Sequence, residues 1–404
     1  MTMQLLTNIP QHPVEQTQKS FADLGLSPEI LATVAEIGFE HPTPIQAEVI
    51  PIALSERDVI GLAQTGSGKT AAFVLPLAER LVHGRGLRGL ILAPTREIAM
   101  QTRAFLELFG KQHDLATACL IGGMKMKPQL DDLKNSPDIV VATPGRLMDH
   151  VQRRTLKLDA IEWLVLDEAD HMLDLGFLPQ VRDILRRLPR ERRTMMFSAT
   201  MPDSIEMIAK EFMREPVRVD ITPEGSAAEG ITHRLYLVKE ADKRPALIAL
   251  LQQELGSTLV FVRRKVDAEW LHAILSRQGH PVTRIHADRS QKGRIAALQG
   301  FREGQHRILV ATDIAGRGID VPGIEHVINF DIPESADDYV HRGGRTARHR
   351  AKGIVSTIAT WQEAPEIRRI EETLGEKLPR CVVSGIEPWE EMERKPVSRG
   401  RRRV

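Results

Sequence analysis

A chain of 404 residues exceeds what one hydrophobic core normally serves and suits two domains, each supplied by a 42% hydrophobic composition. Its 55 Lys and Arg against 54 Asp and Glu leave a formal net charge of +1, which excludes a globally basic polyanion binder, so any phosphate site must be a local arrangement. Two distant cysteines, Cys119 and Cys381, exclude a disulfide framework and suit a reducing cytoplasm, and no Cys or His spacing matches a metal site.

In chain order, residues 1–19 read as a polar, flexible extension without the apolar stretch of a signal peptide. Short apolar runs then alternate with helical patterns. The strand candidates are Val59–Leu62, Gly89–Leu92, Thr117–Ile121, Asp138–Ala142, Trp163–Leu166 and Thr194–Phe197, with amphipathic stretches such as Glu97–Phe109 and Pro179–Leu188 between them. Continuous apolar strands interleaved with helices predict βαβ units around a buried parallel sheet. The pattern pauses at residues 222–230, where Thr-Pro-Glu-Gly-Ser-Ala-Ala-Glu-Gly reads as a linker. It resumes with Leu235–Val238, Thr258–Val262, Val282–Ile285, Ile308–Ala311, His326–Asn329 and Ile354–Ile358. The expected organisation is α/β, with domains at 20–221 and 231–380 and a C-terminal extension at 381–404 that ends in a basic tail (Arg399, Arg401, Arg402, Arg403). That tail is either a solvated end or an aid to polyanion affinity. No run of about 18 apolar residues exists to cross a membrane.

Ala63-Gln64-Thr65-Gly66-Ser67-Gly68-Lys69-Thr70 follows the first strand and precedes a helical pattern, the context a P-loop requires. Gly66 and Gly68 let backbone N–H groups face a polyphosphate at a helix N-terminus. Lys69 would reach the β- and γ-phosphates of ATP, and Thr70 would hold Mg²⁺. Ala63 departs from the Gly that opens the general pattern. Asp167-Glu168-Ala169-Asp170 sits at the carboxyl end of Trp163–Leu166, where ligands of parallel α/β sheets bind. Taken alone it is equally a solvated helix start. Beside a P-loop, Asp167 becomes a partner for Mg²⁺ and Glu168 the group that orients or deprotonates water.

Together these two segments resemble motifs I and II of the DEAD-box RNA helicases, and the remaining motifs of that family follow in order. Phe21, Gly38-Phe39 and Pro42-Thr43-Pro44-Ile45-Gln46 resemble the Q motif; Pro94-Thr95-Arg96-Glu97 resembles motif Ia; Gly122-Gly123 and Thr143-Pro144-Gly145-Arg146 resemble the GG and Ib motifs; Ser198-Ala199-Thr200 resembles motif III. Leu259–Val262, His286–Gln291, Ala311–Asp320 and His341–Arg348 resemble motifs IV, IVa, V and VI. The likeness spans about residues 20 to 375, and the short tail is most similar to the bacterial RhlE-like branch.

The resemblance implies two tandem RecA-like domains, each a mainly parallel sheet flanked by helices, that close on ATP and RNA. It implies an ATP-binding set of Phe21, Phe39, Gln46, Ala63, Gln64, Thr65, Gly66, Ser67, Gly68, Lys69, Thr70 and Asp320. Gln46 carries the donor and acceptor that adenine needs, Phe39 offers a ring for the base, and Asp320 meets the ribose. Arg345 and Arg348 stand at the family's arginine-finger positions, worth ~10³–10⁵ in rate, and join Lys69, Asp167 and Glu168 as the catalytic set. RNA would meet Thr95, Arg96, Gly123, Thr143, Gly145 and Arg146 in the first domain and Gln291, Arg294 and Thr312 in the second, through phosphate and 2′-OH contacts. With 17 aromatic residues in the chain, a row of base platforms is not expected and binding should be largely independent of sequence, to single strands or short duplexes. Ser198, Thr200 and His341 would couple the sites, and a monomer is the default. Motif VI departs from the family at Gly343, Ala347 and Arg350, which puts the aim of Arg348 in question. Two competing readings are a DNA translocase of the wider two-domain superfamily and an ATP-gated RNA clamp without turnover.

Overall fold

The computed structural model describes residues 19–63, 66–81, 86–221, 230–254, 256–313, 321, 323–346 and 352–386. They fall into two compact units whose main division lies between residues 224 and 225.

The first unit is built on seven strands: β1 (Val59–Leu62), β2 (Gly89–Leu92), β3 (Thr117–Leu120), β4 (Ile139–Ala142), β5 (Trp163–Leu166), β6 (Arg193–Ser198) and β7 (Val217–Asp220). All pair in parallel, in the order β3-β4-β2-β5-β6-β1-β7. Strand side chains alternate between two buried layers, which is why the strands read as unbroken apolar runs. Val59, Ile91, Ile139 and Val141 face the layer closed by helices Pro44–Leu54, Lys69–Arg80 and Arg96–His113. Ile60, Leu62, Leu90, Leu92 and Val140 face the layer closed by helices Pro144–Gln152, Leu178–Arg187 and Asp203–Phe212.

The second unit contains β8 (Ile231–Leu237), β9 (Thr258–Val262), β10 (Val282–Ile285), β11 (Ile308–Thr312), β12 (His326–Asn329), β13 (Gly353–Ala359) and β14 (Arg380–Cys381). These also pair in parallel, in the order β10-β11-β9-β12-β13-β8-β14. Adding seven to each strand number of the first sheet reproduces this order, so the two units share one winding. In a parallel sheet every carboxyl end lies on one edge, and each unit therefore gathers its βα loops there.

The predicted strands recur within a few residues of their expected bounds, and β1, β2, β5, β9, β10 and β12 coincide with them. Two strands lacked the continuous apolar run of the others. β7 reads Val-Arg-Val-Asp at a sheet edge with one exposed face, and β14 is two residues long beside β8. β8 begins four residues before its expected start because Ile231–Arg234 reads Ile-Thr-His-Arg, mostly polar instead of running apolar. No described helix is long and apolar enough to cross a membrane.

Candidate nucleotide and RNA site

β1 delivers the chain to Ala63, whose N–H donates to Ser198 O at 3.1 Å and so ties the P-loop to the end of β6. Gly66 at φ 89° and Gly68 at φ 93° occupy the left-handed region, where a side chain would be strained. A Cβ on Gly68 would also lie 2.4 Å from Gln46 Nε2, so this glycine is required twice over. Lys69 opens the helix that follows; it is buried, and its Nζ donates to Ala63 O at 2.6 Å, folding the ammonium over the loop. Ser67 Oγ is buried with no hydrogen-bond partner among the described residues.

Gln46 is 3% exposed and bridges two segments: its Oε1 accepts the Thr43 N–H at 2.9 Å and its Nε2 donates to Gly68 O at 3.0 Å. One amide hydrogen and one lone pair remain to it, enough for a single donor–acceptor pair. Phe39 stacks on Phe21, with centroids 6.1 Å apart and planes 19° apart, and on Phe105 at 6.1 Å and 27°. Phe21 thus supports Phe39 from within the core.

β5, two strands from β1, ends at Leu166 and releases Asp167, Glu168 and Asp170. Asp167 is buried, and its carboxyl is held well above the ordinary range, first by burial and then by the charge of Glu168, with Lys69 opposing. Asp167 interacts electrostatically with Glu168 and Lys69, and its carboxylate with the Thr70 hydroxyl offers the hard oxygen donors that a Mg²⁺ ion fits. Glu168 takes φ 48° and ψ 59° at the N-cap of helix Ala169–Asp174, a backbone placement costing ~1–2 kcal/mol. Its Oε2 lies 3.0 Å from His171 Nδ1. Asp170 accepts the N–H groups of His171 (2.9 Å), Ala199 (3.0 Å) and Thr200 (2.9 Å) and the Thr200 hydroxyl (3.1 Å). Its own N–H donates to Ser198 Oγ at 3.1 Å. All three residues of Ser198-Ala199-Thr200 are thereby held by one carboxylate residue.

The neighbouring strands β2, β4 and β3 carry the remaining first-unit candidates on the same edge. Thr95 caps helix Arg96–His113, its Oγ1 accepting the Ile98 N–H at 3.3 Å. The Arg96 guanidinium lies against the glycine pair: a Cβ on Gly123, at φ 74°, would fall 2.0 Å from its Nη1. Thr143 is the N-cap residue of helix Pro144–Gln152, Gly145 has open space where a Cβ would stand, and Arg146 Nη1 donates to Met124 O at 3.1 Å. Thr95, Arg96, Gly123, Thr143, Gly145 and Arg146 therefore converge at the ends of three adjacent strands.

In the second unit Thr312 closes β11 and Arg294 is buried on helix Gln291–Arg302. Arg342 is 2% exposed and organises its surroundings: Nε and Nη2 grip Asp313 at 2.6 and 2.8 Å, Nη1 donates to Asn329 Oδ1 (3.0 Å) and Asp331 O (2.7 Å), and the guanidinium lies 5.0 Å from the Phe261 ring centroid. His341 belongs to the same helix, Ala336–Gly343. That helix ends at Gly343, so Arg345 lies in the turn beyond it, buried, its Nε donating to His341 O at 3.2 Å. Gln64, Thr65, Asp320 and Arg348 lie outside the described residues, as do positions 222–229 of the linker and the basic tail; of Gln291 only the backbone is described.

A family model described as "DEAD/DEAH box helicase" matches residues 43–208, and one described as "Helicase conserved C-terminal domain" matches residues 242–350. A DEAD-box ATP-dependent RNA helicase of Bacillus cereus, CshA, is 42% identical over 363 residues, covering 89% of this chain and 69% of that protein. The chain belongs to the DEAD-box RNA helicase family. RhpA of Helicobacter pylori, another DEAD-box ATP-dependent RNA helicase, is 39% identical over 89% of this chain and 73% of that protein. Among solved structures, S. cerevisiae Dbp5 bound to RNA and ADP BeF3 aligns with a TM-score of 0.82 and 30% identity, covering 91% of this chain and 96% of that one.

Within this DEAD-box chain, sequence reasoning passed over Asp170 and Arg342. Each sits inside a motif, next to residues of more obvious chemistry. Asp170 gains its partners only when β6 lies beside β5, and Arg342 only when β11 and β12 bring Asp313 and Asn329 to it. Each was detectable in principle as a charged side chain bound for an apolar setting.

Proposed function

We propose that this chain hydrolyses ATP in response to RNA and uses the cycle to open short RNA duplexes locally or remodel RNA–protein assemblies. The observation that carries the reading is the division of one sheet edge: the β1, β5 and β6 ends hold the phosphate-site candidates, while the adjoining β2, β4 and β3 ends hold the arginines, threonines and glycines suited to an RNA backbone. The Asp170 link to Ser198-Ala199-Thr200 lies at the two strands that carry the acids and that motif.

In this reading Gln46, with Phe39 supported by Phe21, selects adenine, and Asp320 takes the ribose. The loop Ala63–Thr70 cradles the phosphates, with Lys69 neutralising the β- and γ-oxygens. Thr70 and Asp167 would hold Mg²⁺, which when bound would supply charge neutralisation to the phosphates. Glu168 takes the proton of the attacking water; Arg345 and Arg348 stabilise the charge that develops. Because the two units contribute different parts, hydrolysis requires their closure, and ATP and RNA drive it as two ligands that prefer the closed state. Ser198, Thr200 and His341 transmit that preference. RNA is held by Thr95, Arg96, Gly123, Thr143, Gly145, Arg146, Gln291, Arg294 and Thr312 with little reading of base edges.

The domain limits proposed are 20–221 and 231–380. Placement in the RhlE-like branch rests on the basic tail, a cytoplasmic setting rests on cysteine usage, and a monomer is the default. The test is ATPase activity with RNA and with DNA of the same sequence: stimulation by RNA alone supports the reading, and equal stimulation by DNA returns the chain to the wider translocase class.

A further inference from the structure

We infer that Gln129 is a positioning residue for RNA: it shapes the loop Ile121–Lys125 into a pocket of free backbone N–H groups that receives one backbone phosphate. The inference rests on the RNA-binding reading above and deepens it.

Gln129 stands in the first turn of helix Met126–Lys134 and is 3% exposed. Its side chain folds back over the loop that leaves β3. Oε1 accepts the Ile121 N–H at 3.1 Å, and Nε2 donates to Ile121 O and to Lys125 O, each at 3.2 Å. The amide thus pairs both main-chain groups of Ile121, as the next residue of a neighbouring strand would, and closes the loop at Lys125. Both amide hydrogens are engaged. Between these anchors Gly122, Gly123 and Met124 make no hydrogen bond through their N–H groups among the described residues. Gly123 turns at φ 74° with the Arg96 guanidinium against it, and Arg146 fixes Met124 O from the other side at 3.1 Å. Successive unpaired N–H groups in a tight turn beside a guanidinium are a concavity for an oxyanion. Gln129 touches no ligand itself; it satisfies the loop's ends so that the middle need not fold inward to do so.

The test is steady-state ATPase of the full chain against RNA concentration, for wild type, Gln129→Leu, Gln129→Glu and Gly123→Ala, with ATP titrations and melting temperatures alongside. Gln129→Leu removes all three hydrogen bonds, and the KM for RNA should rise about tenfold, the loss of about one charge-assisted hydrogen bond. The kcat at saturating RNA and the KM for ATP should stay within about twofold, and the slope of log affinity on log salt should fall by about 0.7, one phosphate of a single strand. Gln129→Glu, which keeps the acceptor but sets a carboxylate against two carbonyls, should behave alike even if the Leu variant folds poorly. Combining Gln129→Leu with Gly123→Ala should add less than the sum of the two, because both act on one phosphate. An unchanged KM for RNA in both Gln129 variants, or a fall in melting temperature alone, overturns the inference. If wild type shows no RNA stimulation, the proposed function fails first, and that outcome is read from the wild-type curve.

Discussion

Asp170→Asn tests how the acidic strand end is joined to Ser198-Ala199-Thr200. Three donors converge on Oδ2: the N–H groups of Ala199 and Thr200 and the Thr200 hydroxyl. Oδ1 accepts a fourth from His171 N–H. An asparagine would keep its oxygen toward the three and turn its NH₂ toward His171 N–H, donor against donor. A buried donor left without an acceptor costs ~1–3 kcal/mol. Losing the charge assistance of the other three removes about 1 kcal/mol each. The sum, ~4–6 kcal/mol, is an upper figure because the side chain can relax. At about 2–4 °C per kcal/mol for a unit of this size, the first unit's melting temperature should fall by at most roughly 8–24 °C. Below that temperature the variant should still bind ATP, since Lys69, Gln46 and Gly68 are not touched. Its RNA-stimulated turnover should drop by more than about tenfold, as loss of ~1.4 kcal/mol or more of the coupling free energy implies. A variant with wild-type melting and wild-type RNA stimulation would refute the reasoning.

Three further outcomes are expected. Glu168→Gln should bind ATP and RNA and retain both, because water loses its proton acceptor while the binding groups persist; rapid release of both ligands in a dissociation assay would count against Glu168 as the base. Gln46→Ala should relax discrimination between ATP and GTP and also loosen the P-loop, since the same amide bridges Thr43 and Gly68; competition ATPase with GTP reads the first effect, and unchanged selectivity excludes Gln46 as the adenine reader. Arg342→Met leaves Asp313 without its buried partner, and breaking such a pair costs ~3–5 kcal/mol; urea unfolding of the full chain should show the second unit's transition shifted with the first in place, and coincident wild-type curves would remove Arg342 as an organiser.

Much of this was legible in the residues. Six strands were bounded to the residue, β1, β2, β5 and β9 because parallel strands buried on both faces are near-continuous apolar runs, and Gly-Lys-Thr after the first of them located the phosphate site. The illegible parts share a cause. Asp170 and Arg342 draw their meaning from strand neighbours distant in sequence, and β5 beside β6 or β11 beside β9 is a property of the winding, not of any local pattern. Gln46 was read for its chemistry toward adenine, but its structural bonds to Thr43 and Gly68 required the fold. Likewise nothing in Gln129 distinguishes it from a surface glutamine until helix Met126–Lys134 turns it back on β3. Edge strands β7 and β14 escaped because four alternating residues in one and two residues in the other leave no continuous apolar run.

The central claim is that ATP turnover opens RNA. A short RNA duplex carrying a fluorophore–quencher pair, incubated with the full chain, reports strand separation directly. The account predicts separation that requires both RNA and ATP, and that disappears in Lys69→Ala although RNA binding remains. Separation at the same rate without nucleotide, or from Lys69→Ala, would contradict it.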